Sequence, residues 1–130
     1  MPDNNQKIKV ILADNKIALK QITHFLSKIL WIEIVAATSD PDEVLNFILS
    51  LKPDLIICGI DSVVCSKNHF EIIAEIKTHW PAIRIISLSM LDSVPLKEAA
   101  LKIGVDHFIS RENIIKELIP AIHTYFEGNK

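Results

Sequence analysis

The sequence predicts an α/β fold, a doubly wound parallel sheet made from five successive strand-plus-helix units, and three observations carry that expectation. Short aliphatic, β-branched runs alternate five times with segments whose apolar residues recur at helical spacing. The strand runs are continuously apolar rather than alternating, which is the pattern of strands covered on both faces. Finally, 130 residues with 49% hydrophobic and 23% charged side chains suit one packed domain, here 1–130 with its core in 7–126.

The elements follow in order. Ile8 to Leu12 is the first strand, and Ala18, Ile22, Phe25, Leu26 and Ile29 stripe the first helix. Ile32 to Ala37 is the second strand. The segment "SDPDE" then starts a helix, with Asp40 as the cap, Pro41 in the first turn and Glu43 able to close a capping box. That helix turns Val44, Leu45, Phe47, Ile48 and Leu51 inward and ends at Lys52, because Pro53 cannot continue it. Leu55 to Cys58 is the third strand, and Phe70 to Ile76 the stripe of the third helix. Ile83 to Leu88 is the fourth strand. Ala99, Ala100 and Ile103 stripe the fourth helix, which Gly104 ends in a left-handed conformation. His107 to Ile109 is the fifth strand, and Ile115, Leu118, Ile122 and Tyr125 stripe the last helix, where Pro120 should introduce a kink.

Composition excludes several classes of function. With 14 basic against 16 acidic residues, no field extends over the surface to draw nucleic acid or an anionic membrane. The apolar runs are too short to span a bilayer, and "MPDNNQKIK" lacks the order of a signal peptide, so a cytoplasmic protein is expected. Cys58 reads as core filling and Cys65 as a loop thiol, since the two fit no metal spacing. The five histidines fall on different elements and read as surface or partly buried residues.

Right-handed crossovers turn five such units into a sheet of order 2-1-3-4-5, the flavodoxin-like arrangement. Ligands of these sheets bind beyond the carboxyl ends of the strands at the switch point. The residues there are Ala13, Asp14 and Asn15, then Gly59 to Asp61, then Ser89 and Met90, then Ser110 and Arg111. A strand-end glycine in that place serves close backbone approach or a positive φ. Asp14 has the residue type of a helix cap, and Ser89 is suited to satisfying backbone groups.

This layout resembles the receiver domain of two-component response regulators from Lys7 to Phe126, most closely in "LKPDLIICG". The resemblance implies a phosphorelay module in which an acidic pair, a phosphoacceptor aspartate, a hydroxyl, a switch aromatic and a lysine line the site. In this sequence those positions hold Ala13 and Asp14, Gly59, Ser89, Phe108 and Arg111. Glycine offers no nucleophile, and one carboxylate of the pair is absent. Phosphoryl transfer needs Mg²⁺ held by several oxygens. Asp14 and Asp61 are the remaining carboxylates, too few for a stable site, so no cofactor is expected. Arg111 presents a fork where the family has a point charge.

The expectation is therefore a degenerate receiver, or pseudo-receiver, that is not an enzyme and acts by protein contact with a histidine kinase, an output domain or another regulator. Two alternatives stand beside it. One is a conventional receiver phosphorylated at Asp61, which lies on the same pleat face as Gly59 about 6 to 7 Å further along. The other is a small flavodoxin-like domain binding a phosphorylated ligand, although no Gly-rich phosphate loop follows the first strand. Receivers commonly associate through helix four, strand five and helix five. Here Ile114, Ile119 and Phe126 are the expected exposed apolar residues, with Lys97 among the charges around them, so a homodimer through that face is a candidate.

Overall fold

Continuous aliphatic strands need cover on both faces, and the chain provides it. The computed structural model describes residues 7–60, 66–90 and 93–126. Its elements are β1 (Ile8–Ala13), α1 (Lys16–Leu26), β2 (Ile32–Thr38), α2 (Pro41–Leu51), β3 (Leu55–Gly59), α3 (Ser66–His79), β4 (Arg84–Ser89), α4 (Val94–Lys102), β5 (His107–Ser110) and α5 (Ile114–Tyr125). A single 3₁₀ turn, Arg111–Asn113, joins β5 to α5. All four strand pairings are parallel, in the order β2-β1-β3-β4-β5. That is the doubly wound flavodoxin-like sheet the sequence predicts.

The pleat divides the core in two. Val10, Leu12, Leu55, Ile57, Ile86 and Leu88 pack with Ala18 and Ile22 of α1 and Leu118 and Ile122 of α5. Ile11, Ile56, Cys58 and Ile85 face Val44 and Ile48 of α2, Ile73 and Ile76 of α3 and Ala100 of α4. β3 is central and buried along its whole length. A methyl group there meets protein in every direction, which is why the strand tolerates no polar alternation.

The helix ends show local chemistry at work. Asp40 caps α2 by accepting from the Asp42 N–H, with Pro41 in the first turn. The expected capping box is relayed: the Asp40 N–H goes to Thr38 Oγ1, and Thr38 in turn bonds the Glu43 carboxylate. Lys52 ends α2 at φ 48°, and Gly104 follows α4 at φ 118°, where an added Cβ would also lie 2.6 Å from Lys77 Cγ.

Two expectations need correction. The cap of α1 is Asn15, whose Oδ1 accepts from the Ala18 N–H at 2.9 Å, and not Asp14. Helix α5 also runs in a different phase. Leu118, Ala121 and Ile122 are buried, whereas Ile115 is 80% exposed. Ile114, Ile119 and Phe126, expected on the surface, pack against the core beside α1. The reason is depth: Ile115 lies in the first turn, where it borders an open cleft between α1 and α5, while later turns close onto the sheet. The apolar residues that suggested a homodimer on the α4-β5-α5 face are thus half-buried, while Lys97 is exposed. Helix α5 continues through Pro120 to Tyr125 without a break.

Candidate functional site

Parallel strands end at one edge, so β1, β3 and β5 deliver Asp14, Gly59 and Arg111 to the same place from positions up to 97 residues apart. Asp14 continues β1, its N–H bonded to the Thr38 carbonyl at 3.1 Å. Gly59 is the last residue of β3, registered against Leu88, with Ile60 continuing the ladder through its N–H to the Leu88 carbonyl. Arg111 opens the 3₁₀ turn after β5.

These three residues interlock. Arg111 donates from Nη2 to Asp14 Oδ1 at 2.8 Å, and the two side chains are only 17% and 6% exposed. The same oxygen accepts the Asn15 N–H at 2.8 Å. A Cβ placed on Gly59 would lie 2.3 Å from Asp14 Oδ1, 2.4 Å from Arg111 Nη2 and 2.5 Å from Asp14 Cγ. The ion pair therefore fills the volume that any side chain at position 59 would enter. Gly59 is needed for close approach rather than for a positive φ, since Gly104 is the glycine with positive φ among the described residues. Arg111, which could have been a solvated cation, is instead the partner of a buried carboxylate.

The other residues singled out in the sequence divide between neighbouring roles. Ala13 is 6% exposed and belongs to the core facing α2. Ser89 and Ser110, at the ends of β4 and β5, are buried, and Phe108 is core at 9% exposure. Asp61 lies outside the described residues, as does Cys65. Burial pushes the Cys58 thiol up to about 12, and the negative charge of Asp14 adds to the effect. The thiol stays protonated and acts as core.

The donor set was tested against Mg²⁺, which asks for about six oxygens in octahedral arrangement. Among the described residues no group of three His, Cys, Asp or Glu side chains is placed to hold a metal. Asp14 Oδ1 is already neutralised by a guanidinium, and Ala13 and Gly59 contribute no oxygen from a side chain. Asp14 Oδ2 is buried and has no hydrogen-bond partner among the described residues, but one carboxylate oxygen beside a fixed cation does not make a dication site. The described residues do not fit the metal.

Sequence reasoning missed the pairing itself. Its signal was available in combination: a glycine at the end of β3, one surviving acid after β1 and an arginine after β5, all at the carboxyl edge of the sheet. It also missed Ser87, fully buried on β4, whose hydroxyl has no hydrogen-bond partner among the described residues.

With the geometry in place, comparison with known proteins identifies the relatives. The chain is 26% identical over 129 residues to the transcriptional regulatory protein RcsB of Salmonella typhi, covering 98% of this chain and 59% of that protein. It is 27% identical over 122 residues to the response regulator protein VraR of Staphylococcus epidermidis, covering 93% and 57%. The chain thus spans less than two thirds of these curated relatives. In fold it is similar to the isolated REC domain of RcsB from Salmonella enterica serovar Typhimurium solved with the phosphomimetic BeF₃⁻, with a TM-score of 0.83, 24% identity and coverage of 96% and 92%. The signal receiver domain of the putative response regulator NarL from Mycobacterium tuberculosis gives a TM-score of 0.80 at 18% identity, covering 92% and 95%. No helix among the described residues is long and apolar enough to cross a membrane. A family model described as the response regulator receiver domain matches residues 10–123, and the chain belongs to that family.

Proposed function

We propose that this receiver domain signals by protein contact and accepts no phosphoryl group at the end of β3. One observation carries the reading: the place of an acceptor side chain at Gly59 is filled by the Asp14–Arg111 ion pair. Acceptance there would require an oxygen nucleophile and a metal to neutralise the transferred charge. Gly59 supplies no nucleophile, and Arg111 occupies the carboxylate that would bind the metal. In this reading the module is a pseudo-receiver of the two-component class, cytoplasmic, without cofactor and without turnover of its own. Its partners are a histidine kinase, an output domain or another regulator. It reaches DNA, if the full protein does so, through a part outside this chain, whose charge is near balance.

The test is incubation with acetyl phosphate and Mg²⁺ followed by intact-mass measurement. The expected result is an unchanged mass. A hydroxylamine-labile gain of one phosphoryl group would overturn the proposal, and its loss in Asp61→Asn would assign the acceptor to Asp61.

A further inference from the structure

Next to the strand-end site, α1 and α5 part to leave a cavity of about 400 Å³. That volume is within the range of small-molecule pockets. Its walls are apolar, from Ile22 and Phe25 on α1 and from Ile114 and Ile115 on α5. Its polar groups are Gln21, His24, Lys28 and Arg111, and among the described residues no carboxylate lines it.

Two features distinguish this cavity from an ordinary surface cleft. The first is Ile115, 80% exposed although it borders the buried stripe of α5. One exposed isoleucine means little alone, but here it extends an apolar wall that already contains Phe25 and Ile114. The second is charge. The chain carries a formal charge of −2, yet the cavity margin holds Lys28 and His24, beside the Asp14-paired Arg111, with no carboxylate among its described lining residues. Apolar walls with a basic margin complement a ligand that has an apolar body and one anionic end.

We propose that this cavity binds a small amphipathic anion, a carboxylate with an aliphatic or aromatic body. The body lies between Ile22, Phe25 and Ile114, and the headgroup meets Lys28 and His24 at the margin. Arg111 belongs to the lining as well as to the ion pair with Asp14, so the ligand sits beside the strand-end site without using its carboxylate. The proposal is independent of whether the domain is phosphorylated.

Octanoate is the probe, titrated into the isotope-labelled chain and followed by amide chemical shifts. The expected result is saturable binding with a dissociation constant below about 1 mM. The shifts should concentrate on α1 and on 111–115. 1-Octanol, with the same body and no charge, should bind at least about tenfold more weakly, and so should octanoate to Lys28→Glu and to Ile115→Glu. Both side chains are exposed, so both variants should keep the wild-type Tm. Absence of saturation, equal binding of octanol, or undiminished binding by folded Lys28→Glu would each overturn the proposal. Sedimentation showing a dimer through this face that octanoate does not dissociate would assign the cleft to a second copy and overturn it as well.

Discussion

Replacing Gly59 with alanine sets two effects of opposite sign against each other. Alanine restricts the unfolded chain, which at a position with compatible backbone stabilises by about 0.4–1 kcal/mol. Gly59 qualifies, because its φ is not positive. Against this, the new Cβ would approach the Asp14 and Arg111 side chains at 2.3–2.5 Å, where ordinary contact is 3.4–4 Å. Three overlaps of roughly 1 Å cannot be relieved by moving one soft side chain, since Asp14 is short and buried. Overpacking of this kind costs about 1–3 kcal/mol, so repulsion wins. The expected net loss is about 1–2 kcal/mol, which lowers Tm by roughly 4–8 °C. The cause is isolated by a double-mutant cycle measured by urea unfolding. In the Asp14→Ala, Arg111→Ala background the volume is vacant, and Gly59→Ala should become neutral or stabilising, a coupling of about 1–2 kcal/mol. If Gly59→Ala costs the same in both backgrounds, or raises Tm in the wild type, the ion pair does not occupy that volume and the argument fails.

Two further predictions follow from the same geometry. Gly59→Asp, and Gly59→Asp with Ala13→Asp, should bind no Mg²⁺ by calorimetry, because Arg111 still claims Asp14; adding Arg111→Lys to the double variant should produce binding, and binding by the single variant would refute this. The Cys58 thiol should resist a thiol reagent at pH 8 in the folded protein and react at once on unfolding. Its raised pKa means that the folded state holds the proton more tightly, so its contribution to stability is intact below the ordinary value of 9.0 and is lost as pH rises toward about 12. Cys58→Ala should flatten that alkaline decline, and an unchanged slope would contradict it.

How much of this was legible in the sequence depended on the range of the interactions involved. Strand positions were readable because continuous runs such as Leu55 to Cys58 report burial on two faces directly. The start of α2 was readable because Asp40 and Pro41 act within one turn. The cap of α1 was misplaced by one residue, since Asp14 and Asn15 are both capping residue types and only the backbone decides between them. The phase of α5 was misread for a different reason. Periodicity fixes a helical stripe, but whether its edge residue Ile115 is covered depends on how closely α1 approaches, which no local pattern encodes. The Asp14–Arg111 pair was invisible as a pair because nothing local ties residues 97 apart.

The three site positions are mutually contingent, and this bears on how such a domain could be controlled. A guanidinium fits above β3 only because residue 59 has no side chain. Asp14 is buried against the Arg111 guanidinium, and removing one member of such a pair costs about 3–5 kcal/mol. The pair also fastens the connection after β1 to the connection after β5, across the ends of β3 and β4. The tie is made from encoded side chains and needs no modification to form. No covalent modification of residue 59 can make or release it. If, as proposed, the domain accepts no phosphoryl group, a conformational equilibrium in it is moved by a binding partner or ligand that prefers one state, and only by as much as its affinities for the two states differ. On that proposal, control rests on the concentration of whatever binds rather than on the occupancy of a phosphorylation site.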